Sequence, residues 1–175
     1  MVAQPEVLAP TRSERSTSKT TQIYQEGIVA GALGAVTIAA WFLILDTING
    51  RPLYTPSVLG TALFEHGRGI EAPDTLPISG DMVLVVTWLH LLIFAVIGGA
   101  ASRLLALAEQ QPNLGFGVVL LFVVFEFGFV LAAMIFAQPI LHALDWSAIL
   151  VGNLLAAGAM AAYFWRRHPH LQMRP

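Results

Sequence analysis

The chain has no cysteine among its 175 residues. Disulfides, thiolate nucleophiles, Cys-ligated iron–sulfur clusters and covalently attached haem are thereby excluded. What remains is the chemistry of His, carboxylates and the backbone. Charge is scarce as well: 11% of residues are Asp, Glu, Lys or Arg, against about 25% in an ordinary soluble domain. No basic cluster suggests nucleic acid, and a net charge of −2 identifies no partner. Phosphate loops, HExxH helices and nucleophile elbows are also missing. Gly115-Phe116-Gly117 is a loose helix start rather than a nucleotide fingerprint, and Gly98-Gly99 reads as a packing pair.

What the chain has in abundance is apolar residues, 56% of the total, gathered into blocks rather than dispersed. That is the pattern of membrane spans. Residues 114–137 are 24 long and carry a single charge, Glu126. About 20 apolar residues at ~1.5 Å each cross the hydrocarbon core as a helix. A carboxylate at that depth costs several kcal/mol, so it must face protein, water or a partner. The expected fold is all-α: an integral membrane four-helix bundle with helices over 27–48, 82–107, 114–138 and 145–165. The four blocks leave no room for a second domain.

In chain order, residues 1–25 hold Pro5, Pro10 and a Ser/Thr-rich basic run. They lack the apolar core of a signal peptide and read as a retained, disordered tail or binding arm. Gly27, Gly31 and Ala35 form a small-residue stripe on the first helix, a surface for close helix approach. Trp41 marks the far membrane boundary, and Asp46, Asn49 and Gly50 end the helix. Residues 49–81 are the one long loop. Thr55-Pro56 reads as an N-cap with Pro at the first helical position. Val58, Leu59, Ala62 and Leu63 then supply an apolar face, predicting a short helix on the membrane surface or over the bundle mouth. Asp81 reads as the cap of the second span. Residues 169–175 are a short C-terminal tail.

Four crossings put both termini and the 111–113 turn on one side. That side holds Arg12, Arg15, Lys19, Arg103, Arg166, Arg167 and Arg174, and the other holds Arg51 and Arg68. Seven against two places the termini in the cytoplasm. Without sorting or presequence motifs, a bacterial inner membrane is the simplest location.

Depth counted from the helix ends puts His90, Glu126 and Asn153 roughly 12 to 18 Å below the outer surface, with Thr37 in the same layer. Thr87 and His90 share a face with Phe94, Gly98 and Ala101. Glu126 shares one with Ala133 and Ala137, and Asn153 with Ala157. Faces that include small residues meet helices rather than lipid, so the polar groups converge inside the bundle. The structural reading is a hydrogen-bonded layer that sets helix register. The functional reading is a proton, ion or ligand site, since intramembrane carboxylate and imidazole mark pathways. A third has Glu126 facing a partner subunit. His90 and Glu126 are expected to share one proton, directly or through water or Asn153.

No cofactor is predicted. A bis-His haem on His90 and His142 is disfavoured, because His142 lies roughly 12 Å higher; a single-His haem is left open. His142 with Asp145, and Glu65 with His66, lack a third ligand and read as interface residues, so no metal site is assigned.

The segments RPLYTPSVLGTALF (51–64), TWLH with the following FAVIGG (87–99), VVFEF (123–127) and GNLLAAGAM (152–160) resemble a group of small uncharacterised bacterial four-helix membrane proteins. The resemblance covers roughly residues 26–170. It implies the bundle but no activity. Small size, the lack of a soluble domain and the Gly/Ala-rich faces lead to the expectation of a non-enzymatic accessory or assembly subunit of a larger membrane complex, with the lipid bilayer and other membrane subunits, or further copies of the chain, as partners. The alternative is a small carrier or proton- or ligand-binding protein using His90, Glu126 and Asn153; a membrane-embedded enzyme is third.

Overall fold

The computed structural model of the chain describes residues 12–65, 77–110 and 146–168. Among them the protein is all-helical, with four helices and no strand: α1 (Arg12–Ile48), α2 (Tyr54–Phe64), α3 (Gly80–Gln110) and α4 (Trp146–Arg167). Three are long and apolar enough to cross a membrane, over Thr20–Ile48, Gly80–Ala108 and Ser147–Arg167. The predicted 114–138 helix, with Glu126, lies outside the described residues.

α1 starts at Arg12, within the stretch read from sequence as an unordered tail. Residues 12–26 contain neither Pro nor Gly. Once a helix is nucleated, each further residue adds one hydrogen bond without repeating the nucleation cost. Composition alone therefore misses this outward extension of a stable span.

α1 is the hub, packing on both α3 and α4, which have little contact with each other. Both neighbours run antiparallel to it. Ser102 Oγ donates to Ile23 O at 2.7 Å, Gly98 lies on Gly27, and Phe94 and Ala95 lie on Gly31. On the other side Trp41 meets Gly152, and Gly34 meets Met160. Farther along, His168 lies 3.2 Å from Glu26. The seams need small residues: a Cβ on Gly27 would stand 2.6 Å from the Gly98 carbonyl oxygen, and one on Gly31 would strike the Phe94 carbonyl.

Burial is inverted relative to a soluble protein. The packed positions of α1 are Gly27, Ala30, Gly31, Gly34, Ala35 and Ile38. Ile28, Val29, Leu33 and Val36 point outward, as do Leu84, Trp88, Leu92 and Val96 of α3. In lipid an outward Leu is already in an apolar solvent, so close packing of small residues, not burial of large ones, holds helices together.

Candidate functional site

At its C-terminal end α1 stops in a Schellman motif. Arg51 N–H donates to Asp46 O at 2.8 Å and Gly50 N–H to Thr47 O at 3.0 Å. Gly50 supplies the left-handed residue, with φ 73°, a geometry that glycine adopts without steric penalty. Leu53 also sits at φ 67° as the N-cap of α2, a strained conformation for a side-chain-bearing residue.

The strain is held by contacts from α1. Asp46 is 5% exposed. Its Oδ2 accepts the Thr55 N–H at 2.8 Å and its Oδ1 accepts the Thr55 hydroxyl at 2.7 Å. Tyr54 N–H donates to Arg51 O, and Ser57 N–H donates to Leu53 O. Pro56 has no N–H to place. Every backbone donor of the first turn is thereby accounted for. Thr55 is not the N-cap that its sequence position suggested: the cap is remote, an aspartate nine residues earlier. Asp at a helix C-terminus opposes the macrodipole, whereas at an N-terminus it is favourable. Asp46 belongs to the end of α1 and serves the start of α2.

α2 in turn fastens α3. Ser57 Oγ accepts the Ser79 N–H at 2.9 Å, and Gly60 lies against Met82. Its inward face is Thr55, Ser57, Val58, Gly60 and Thr61. Of the expected apolar face, Val58 is buried, Leu59 is half-buried, as is Pro56, and Leu63 is 55% exposed. Small and polar residues win the inner position because they permit close approach and interhelical hydrogen bonds. Ser79, rather than Asp81, caps α3: its carbonyl accepts Val83 N–H at 3.1 Å, and Asp81 stands exposed in the first turn.

Beside Asp46 a cleft of about 280 Å³ opens between α1, α2 and α4. Trp41, Phe42, Asp46, Asn49, Tyr54 and Val151 are among its walls. Trp41 Nε1 donates to Ala148 O at 2.9 Å, and Gly152 lies against the same indole, which fixes its orientation. The Arg51 guanidinium stacks 4.0 Å over the Tyr54 ring.

Within the span, the α1–α3 contacts pair His90 with the level of Ala35 and Thr87 with that of Ile38. The α1–α4 contacts put Asn153 near the level of Ala40. With Thr37 these residues fall within about 8 Å of depth. Their side chains are used differently. Thr37 Oγ1 donates to Leu33 O and Thr87 Oγ1 to Val83 O, each within its own helix, and Thr87 is exposed. His90 packs its ring on Phe94, 4.6 Å between centroids, beside the Ala35 backbone. Its Nε2 is buried without a hydrogen-bond partner among the described residues. Asn153 is half-buried and engaged. No group of three or more His, Asp or Glu able to hold a metal occurs among the described residues.

Sequence reasoning did not find the Asp46 latch or the Trp41 anchor. The signal for the first was there: an acidic residue in the last turn of a helix opposes the macrodipole and calls for hydrogen-bond donors from outside that helix. Comparison with family models, curated proteins and solved structures finds no match for the chain.

Proposed function

We propose that this chain is a four-crossing integral membrane protein with a non-enzymatic role, an accessory or assembly subunit of a larger complex. The observation that carries the reading is how the polar side chains are used. Asp46, Thr55, Ser57, Trp41 and Ser102 all spend hydrogen bonds on joining one helix to another. They build a scaffold, and the outward faces of α1, α3 and α4 remain apolar.

Connectivity supports four crossings. The C-terminal part of α3 lies level with Ile23 and the start of α4 level with Trp41. These levels are about 27 Å apart along α1, a separation that supports a fourth crossing in the intervening sequence. Arg103, Arg166 and Arg167 gather at the end where α1 begins, while Arg51 stands at the other. That supports cytoplasmic termini and a bacterial inner membrane as the location.

The test is composition at native expression level. Extracted in mild detergent, the protein should run as a defined hetero-complex of fixed stoichiometry. A lone monomer or homo-oligomer would contradict the subunit reading. One observation favours a second reading, a proton- or ligand-binding carrier: the unpartnered Nε2 of His90. A homo-oligomer whose transport activity disappears in His90→Leu would select it.

A further inference from the structure

The cleft beside Asp46 has three features that the scaffold does not require together. It is open, its volume of about 280 Å³ is small, and a carboxylate forms part of its wall. The bonds from Thr55 use one acceptor position on each Asp46 oxygen, whereas a carboxylate offers about four. Both bonds come from neutral donors, and no Lys, Arg or His among the described residues forms an ion pair with Asp46. Asp46 thus borders the cleft without an ion-paired cation among the described residues. The indole of Trp41 and the ring of Tyr54 line the same space. Aromatic faces beside a carboxylate are the surroundings that recognise an ammonium group. The Trp41 ring is already locked by its bond to Ala148 O, so little ordering is lost on binding.

Position adds the second half of the argument. Glu26 and Asp46 are twenty residues apart on one continuous helix, roughly 30 Å, which is the thickness of the hydrocarbon core. Asp46 thus stands at headgroup level. Arg51, stacked on Tyr54 beside the cleft, carries the planar donor fork that pairs with phosphate. An ammonium and a phosphate a few atoms apart, presented at the membrane boundary, are the headgroup of an ethanolamine phospholipid. We propose that the cleft binds one such lipid, its ammonium against Asp46 and Trp41 and its phosphate toward Arg51. The volume suits a headgroup better than a drug-sized ligand, whose pockets run about 300–1,000 Å³. The inference rests on the membrane reading above.

The experiment uses the full chain, tested first for resistance to carbonate extraction from membranes and then purified in mild detergent. Native mass spectrometry then counts retained lipid with phosphatidylethanolamine, its N-acylated derivative or phosphatidylglycerol supplied at equal concentration. The expected result is one phosphatidylethanolamine per chain, retained about tenfold better than either competitor, the scale of a single desolvated cation contact. Trp41→Leu and Asp46→Asn should remove most of that preference. Asp46→Asn also disturbs the α2 cap, so the comparison between lipids on the unaltered protein decides. Equal retention of the N-acylated lipid, which keeps the phosphate and lacks the ammonium, overturns the proposal. So does a preference for phosphatidylglycerol. Displacement by free phosphoethanolamine at equal concentration would assign the cleft to a soluble amine and overturn the lipid assignment. Release by carbonate would end the membrane reading and this inference together, whereas a membrane-inserted protein without lipid preference ends the inference alone.

Discussion

Asp46 is 5% exposed and each of its oxygens accepts a hydrogen bond, whereas the buried Nε2 of His90 has no partner among the described residues. The two groups belong to different regions. Asp46 sits in a polar knot at the end of α1, where two helix termini leave backbone donors and acceptors to be satisfied. His90 sits in the apolar middle, where α1 and α3 meet through glycines and backbone groups are already paired within each helix. The ends of this protein are held by directional bonds and the middle by shape. An ionisable residue is tied into the fold by two hydrogen bonds in the first region, whereas in the second the buried imidazole nitrogen makes none among the described residues.

Breaking the middle should have the largest effect. Gly31→Leu drives a side chain into the Phe94 carbonyl and should cost more than the ~1–3 kcal/mol of ordinary overpacking. Loss of the folded form in a thermal or denaturant titration checks it; a stability within ~0.5 kcal/mol of the parent would mean that α1 and α3 are not in contact there. Breaking the end should come next. Asp46→Ala removes two bonds to a charged acceptor, each worth about 1.5–3 kcal/mol, and leaves the Thr55 N–H unpaired. The loss should be of order 3 kcal/mol, with faster hydrogen exchange confined to α2 and the α1–α2 turn. Thr55→Val keeps the backbone bond to Oδ2 and loses only the hydroxyl bond, so it should cost about 1 kcal/mol. Both variants together should be less than additive, because they share one interaction.

The smallest effect is expected at His90. His90→Leu removes a buried Nε2 that has no hydrogen-bond partner among the described residues and at most a contact with the Ala35 backbone, so stability should change by less than about 1 kcal/mol. A double-mutant cycle with Glu126→Leu sharpens the point: coupling of about 1 kcal/mol would join His90 to a polar layer, and strict additivity would leave it alone in the seam.

Much of the fold was legible in the residues. The stripe Gly27, Gly31, Ala35 announces a close helix contact, and α1 meets α3 along it. The apolar blocks announce spans, and α2 falls where Thr55-Pro56 and its apolar neighbours suggest. The N-cap assignment went to Thr55 because local pattern rules look only at neighbouring residues, and Asp46 reaches α2 through a turn that brings the two helices together. The inner positions Thr55, Ser57, Gly60 and Thr61 of α2 were not legible from hydrophobicity, because small and polar residues take helix contacts where the solvent is lipid. Depth along the helices could be counted from sequence, and the levels of His90, Thr37, Thr87 and Asn153 follow from the antiparallel registers. Facing could not, since a hydroxyl bonded to its own helix, as in Thr37 and Thr87, has the same periodicity as one that reaches across.

The claim that ties these elements together is that α1 is the hub of four crossings, with the Asp46 cleft on one face of the membrane and both termini on the other. The absence of cysteine makes it directly measurable, because any cysteine introduced is the sole thiol. Pro77→Cys, Asn113→Cys and Gln172→Cys would each be labelled in intact cells with a membrane-impermeant maleimide. The account predicts labelling at residue 77 from outside and at residues 113 and 172 only after the membrane is permeabilised. Labelling of 77 and 113 from the same side would contradict it.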